Sequence, residues 1–327
     1  MLRIVFTADD LARTRFAAGP DPMWEVLLSL YRLRGRDQRV LFGPWRRRIA
    51  ALVPASTAML VDLAPTRGYA ADFLTPAAPA PSLTEQLEAL RRTPKARVEA
   101  DLERMVRLHP RRPVPPWYAE LARGEAPVLT RLADAAGRYF GAGLAPYWPQ
   151  VRAQVDQDRM VRALRLAEWG WAGVFGTLHH SIRWHYPVLE MDYPVEHTIE
   201  LTGSGLLLQP SFFCSGTPTA LAAPELPPVL AYPIEHELGW AGPATARTDR
   251  GGDPVAAVLG STRSRLLRTV ADAAGTTTDV ARRLGLPPST ASRQLSALRE
   301  AGLVTSHRHG NRVTHAATDL GVALLDR

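Results

Sequence analysis

Apolar positions recur at helical spacing through much of the first 170 or so residues. Pro22 to Arg34 reads as a helix. Ser82-Leu83-Thr84-Glu85 has the spacing of a capping box and predicts a helix toward Arg92. Thr93 followed by Pro94 restarts a helix through about Leu108, where Val98, Leu102, Met105 and Val106 share a face. The run HPRRPVPP, from His109 to Pro116, cannot continue it. A further helix is predicted over Pro127 to Phe140. A longer one spans Pro149 to Trp169, with Val151, Val155, Val161 and Leu164 among its apolar positions.

The texture then turns β-like. His197 to Leu201 and Leu206 to Phe213 are β-favouring runs, and Gly203-Ser204-Gly205 between them predicts a hairpin. Val229 to Tyr232 and Leu2 to Phe6 are further strand candidates. The expected fold class is α+β: a helical N-terminal domain with a small β-sheet, followed by a separate C-terminal domain. Thr75 to Ser82 (TPAAPAPS) is a proline-rich connector inside the first. Gly239 to Asp253 (GWAGPATARTDRGGD) lacks any apolar period and is the linker. The expected domains are 1–245 and 253–327, with no internal repeat.

Beyond the linker the pattern sharpens. Pro254 to Leu259 and Arg263 to Ala274 read as helices. Thr276-Thr277-Thr278-Asp279 offers capping hydroxyls and an early acid to a short helix ending at Leu284. Gly285-Leu286 makes a turn, and Pro287-Pro288-Ser289 opens a second helix through Ala301. This is the spacing of a helix-turn-helix, with a small residue, Ala281, where the helices meet and Gly285 free to take positive φ. Val280, Leu284, Leu286, Ala291, Leu295 and Leu298 form its inner face.

Left outside on the second helix are Ser289, Thr290, Ser292, Arg293 and Gln294. All are hydrogen-bonders, the kind of group that base edges require. Leu303 to Arg308, the turn His309-Gly310-Asn311 and the return Arg312 to His315 form a basic hairpin. Placed after the second helix, such a hairpin serves as a DNA-binding wing, its tip within reach of phosphates or the minor groove.

These segments resemble the ArsR-type winged helix-turn-helix transcriptional regulators. The resemblance rests on Thr277 to Leu286 (TTDVARRLGL), Ser289 to Leu295 (STASRQL) and Leu298 to Val304 (LREAGLV), and covers about Asp253 to Leu325. It implies that the second helix lies in the major groove, with Ser289, Thr290, Ser292, Arg293 and Gln294 at bases or phosphates. Arg308, Asn311 and Arg312 would sit on the wing. Two departures bear on mechanism. The first helix of the motif has no cysteine with which to sense a metal. The last helix, about Leu320 to Arg327, is short for a dimerisation element. The large N-terminal domain is therefore expected to dimerise. Gly205 to Cys214, with Pro227 to Pro233 after it, resembles an actinobacterial subgroup of these regulators with a long, uncharacterised N-terminal domain.

The chain has 327 residues, 46% hydrophobic and 22% charged, as a packed protein does. It has no apolar run of membrane-spanning length and no signal-peptide pattern, so no membrane association and a cytoplasmic address are expected. Net charge is +7, and of 39 basic residues only Lys95 is a lysine. Codon bias in a GC-rich genome is the expected main cause of that skew, with phosphate contact as the other reading. Even so, 251–327 carries ten arginines against six acids, with Arg293, Arg308 and Arg312 on the second helix and hairpin.

Enzyme chemistry finds no motif: no HExxH, P-loop, GxGxxG or nucleophile elbow occurs. No catalytic residue, cofactor or metal site is expected. His179 and His180, adjacent on a helix, would point about 100° apart. Cys214, the only cysteine, reads as a buried inert thiol. Aromatic residues concentrate between Tyr147 and Tyr193, and Trp148, Trp169, Trp171 and Trp184 are candidates for an effector pocket, with core packing as the alternative.

The expected function is sequence-specific binding of double-stranded DNA by a homodimeric repressor released by a small-molecule effector. Two alternatives stay open. One is a ligand-independent regulator whose N-terminal domain only dimerises or docks proteins. The other is an enzyme domain tethered to DNA.

Overall fold

The computed structural model describes residues 1–65, 68–76, 82–193, 196–221, 223, 225–237, 240–241, 255, 259–309 and 312–325. The chain divides into two compact units, Met1–Ala241 and Gly242–Arg327. Each has its own apolar core.

In the first unit, the described helices are α1 (Ala8–Arg13), α2 (Pro22–Arg34), α3 (Arg39–Ile49), α4 (Thr57–Leu63), α5 (Leu83–Arg91), α6 (Lys95–Leu108), α7 (Trp117–Ala122), α8 (Ala126–Gly143) and α9 (Trp148–Leu178). Local chemistry sets several starts. The Asp21 carboxylate accepts from the Met23 and Trp24 N–H groups, with Pro22 in the first turn of α2. Ser82 and Glu85 close a reciprocal capping box on α5.

The expected single small sheet is two four-stranded sheets among the described residues. The first has β1 (Leu2–Val5) between β4 (Val188–Met191), antiparallel, and β5 (His197–Glu200), parallel, with β3 (Arg183–His185) outside β4. The second runs β2 (Arg15–Phe16), β6 (Leu207–Ser211), β8 (Val229–Pro233) and β7 (Thr219–Ala220), the first three parallel. The expected hairpin around Gly203-Ser204-Gly205 does not form, because β5 and β6 lie in different sheets. Polar groups around α1 hold the connection instead. Gly205 N donates to Asp10 Oδ1 at 2.9 Å and Leu206 N to Thr14 Oγ1 at 3.2 Å. A side chain at Gly205 is excluded, since its Cβ would fall 2.6 Å from the Arg13 carbonyl carbon.

The helix predicted to end at Trp169 breaks at Gly170 (φ 61°, ψ −163°) and resumes to Leu178. The break bends the chain back. Arg162 Nη1 reaches the Thr177 carbonyl at 2.6 Å, whereas fifteen residues of straight helix would separate the two by roughly 22 Å. Val161 and Leu164, expected on the apolar face, are exposed. The inward stripe runs through Val151, Val155, Asp158 and Arg162 instead. Asp158 pairs with Arg162 at 3.2 Å and accepts from the Tyr232 hydroxyl at 2.9 Å. An ion pair thus occupies positions where the apolar pattern pointed elsewhere.

The second unit contains α10 (Ser261–Asp272), β9 (Gly275–Thr276), α11 (Thr277–Leu284), α12 (Pro288–Glu300), β10 (Val304–His309), β11 (Arg312–Ala317) and α13 (Asp319–Leu325). The strand order is β10-β11-β9. Most of Gly239 to Asp253, including all of 242–253, lies outside the described residues.

Candidate nucleic-acid interface

Two helices and a tight turn build the site. Thr276 caps α11, its hydroxyl accepting from Asp279 N while Asp279 reaches back to Thr276 N, so two N–H groups at the helix start are satisfied. Gly285 ends α11 in the left-handed region, φ 64° and ψ 32°. Pro287 and Pro288 then start α12 without needing the donors they lack. Val280, Ala281, Ala291, Leu295 and Leu298 bury with Leu266, Leu267 and Val270 of α10, and Leu284 and Leu286 pack against them. Their inward arrangement fixes which α12 residues face out.

Ser289, Ser292 and Arg293 are exposed, while Thr290 and Gln294 are half-buried. Among the described residues, the Arg293 guanidinium has no hydrogen-bond or ion-pair partner. Arg282, on α11, is instead held by Asp279 at 2.9 Å. Gln294 is engaged within the unit, its Oε1 accepting from Arg263 Nε at 2.8 Å. Arg263 escaped the sequence reading, since only the packing of α10 on α12 brings it beside the second helix.

After α12, β10 and β11 pair antiparallel from Val304↔Ala317 to His309↔Arg312. Asn311 and the side chains of Arg308 and Arg312 lie outside the described residues. His315 ties this hairpin to the helix pair. Its Nε2 meets Thr277 Oγ1 at 2.9 Å and its Nδ1 meets Ser306 Oγ at 2.8 Å. Burial, with the Arg299 charge nearby, holds the His315 imidazole below the usual histidine range.

The first unit holds a second feature, a cavity of about 780 Å³. Of the four candidate tryptophans only Trp148 lines it. Trp148 packs on Phe140 with ring centroids 5.0 Å apart. Trp171 stacks on Phe175, which also neighbours Trp184 and Phe6, so these half-buried tryptophans pack against the core. Trp169 is 60% exposed beside the Gly170 break, with the Arg165 guanidinium over its ring. The four residues therefore do not line this cavity together: Trp148 is in its wall, Trp171 and Trp184 pack on the core, and Trp169 is exposed.

The remaining candidates take structural places. Cys214 is buried, and burial pushes its thiol up to about 12. His179 and His180 lie past the end of α9, not on it, and their rings touch at 3.9 Å. The 100° separation expected of a helix therefore does not apply. Among the described residues there is no cluster of three or more metal-ligating side chains. No helix among the described residues is long and apolar enough to cross a membrane.

The second unit carries a helix-turn-helix domain: the family described by that name matches residues 259–307. The solved structure of Lactococcus lactis ZitR, C30AH42A mutant in apo form, is similar at 24% identity over 25% of this chain and 67% of that one, with a TM-score of 0.20. No curated protein matches the chain.

Proposed function

We propose that this chain is a sequence-specific transcriptional regulator of the winged helix-turn-helix type, similar to the ArsR class, that binds double-stranded DNA in the cytoplasm. The observation that carries this reading is the outward row Ser289, Ser292 and Arg293 on α12, with an arginine unpaired among the described residues. Serine and arginine supply donors and acceptors for base edges, and arginine pairs bidentately with guanine or phosphate. The β10–β11 hairpin acts as the wing.

The protein works as a homodimer and a repressor, released by a small-molecule effector. Dimerisation is assigned to the first unit. Neither unit is assigned catalysis. Enrichment from a pool of random duplexes tests this. The pool should converge on an inverted repeat whose half-sites are roughly 34 Å apart, one helical turn. Failure of the full chain to enrich any sequence overturns the reading.

A further inference from the structure

The cavity in the first unit has a composition that selects a ligand. Its floor is the starting edge of the parallel strands β2, β6 and β8, where Arg15, Leu207 and Val229 line it. Its roof comes from α8 and α9. Trp148 and Arg152, four residues apart at the start of α9, share one helical face and both line the space. Phe140 backs the Trp148 ring edge-on. Its volume of about 780 Å³ lies within the range that holds a drug-sized molecule.

The charges do not balance inside this space. Arg15 and Arg152 are both exposed and line it, and among the described residues neither guanidinium has a hydrogen-bond or ion-pair partner. The acid in the wall, Asp21, is buried and already in use. Its Oδ1 accepts from Met23 N and Trp24 N, and its Oδ2 from Gln86 Nε2 at 2.8 Å. The arginines that enter the protein interior are treated differently, as Arg97 and Arg162 show by pairing with Asp101 and Asp158. Two cations facing aromatic and aliphatic walls, without a counter-charge, leave an anion's place open. A guanidinium fork matches a carboxylate bidentately.

We infer that this cavity binds a small organic carboxylate with a flat apolar body, its carboxylate between Arg15 and Arg152 and its body against Trp148. As the identity and site of the effector, the inference rests on the regulator reading; as a binding site it stands alone.

Titration calorimetry of the full chain with naphthoate and its neutral counterpart naphthamide tests it. Naphthoate should bind about tenfold or more tightly than the amide. R15Q and R152Q should each weaken naphthoate by about tenfold and leave the amide unchanged. The acid-over-amide preference of the unaltered chain needs no variant, so the test survives a variant that misfolds. Equal binding of acid and amide, no binding of either, or naphthoate affinity untouched in both variants overturns the site. A duplex-binding assay on the same preparation separates the two readings. Acid-selective binding supports the site whether or not duplex binds, and loss of duplex binding alone counts against the regulator reading.

Discussion

The buried arginines of the first unit and Arg293 of the second are engaged in contrasting ways. In the first, interior arginines are bound to the protein itself. Arg97 pairs with Asp72, Asp101 and Glu225, Arg162 with Asp158 and the Thr177 carbonyl, and Arg46 with Asp37. In the second, Arg293 stands exposed on α12, without a partner among the described residues. The composition gives how many arginines there are, but not which ones keep their donors free. A guanidinium already satisfied inside the fold has little left for an outside anion; a solvated, unpaired one retains its full fork. The net charge of +7 is therefore a poor guide by itself, and the pairing state of each arginine is the better one.

Removing an internal partner should have the largest effect. Asp158→Ala leaves the buried Arg162 guanidinium uncompensated, and the first unit should lose about 3–5 kcal/mol. Calorimetric unfolding of the full chain checks it; a loss below about 1 kcal/mol would return Arg162 to the solvated class. The corresponding weak point of the second unit is its turn. Gly285→Ala forces a side chain into the left-handed region and should cost about 1–2 kcal/mol, read in the second unit's own unfolding transition.

Smaller effects should separate the units by pH. Burial raises the Glu25 carboxyl to about 7, and burial raises Asp21, Asp101 and Asp158 as well. A carboxyl that binds its proton more tightly when folded loses its stabilising contribution as pH rises from its ordinary value through the folded one. The first unit should therefore weaken as pH is raised through about 7. His315 is shifted the other way, so the unfolded chain takes up the proton first, and the second unit should weaken as pH falls through the ordinary histidine range. Melting curves across that span, with Glu25→Gln and His315→Gln, test both signs. Burial also lowers His179, His197 and His236 in the first unit, so that unit loses stability on the acid side too. Glu25→Gln should flatten the first unit's loss as pH rises toward about 7, and His315→Gln the second unit's loss as pH falls; a variant that leaves its unit's curve unchanged refutes the assignment. The smallest effect is on the hairpin. Arg312→Ala should lower the salt slope of duplex binding by roughly one, and an unchanged slope excludes a phosphate contact.

The second unit was far more legible in sequence than the first. Its helices are set by short-range signals that a single sequence carries: the Thr276–Asp279 capping box, the left-handed Gly285 and the Pro287-Pro288 start. What escaped there was tertiary, namely the Arg263–Gln294 bond and the His315 bridge. In the first unit the missed features were either too short or internally contradictory. The strand β2 is two residues long and shows no alternation, and α3 contains Gly43-Pro44, a pair that reads as a turn. The Gly203–Gly205 link carries turn chemistry, yet its direction is set by Asp10 and Thr14, nearly two hundred residues away in sequence. The four tryptophans were legible as an aromatic concentration. Their separation into cavity wall, core face and surface is a matter of tertiary packing, which composition does not reveal.

Sequence-specific recognition by α12 rests on Arg293 reading a base. The most direct measurement is the affinity of the full chain and of Arg293→Ala for an enriched duplex and for a scrambled duplex at the same salt concentration. Loss of about 1–3 kcal/mol on the enriched duplex, with little change on the scrambled one, is the predicted result. Equal losses on both duplexes would contradict it and reduce Arg293 to a phosphate contact.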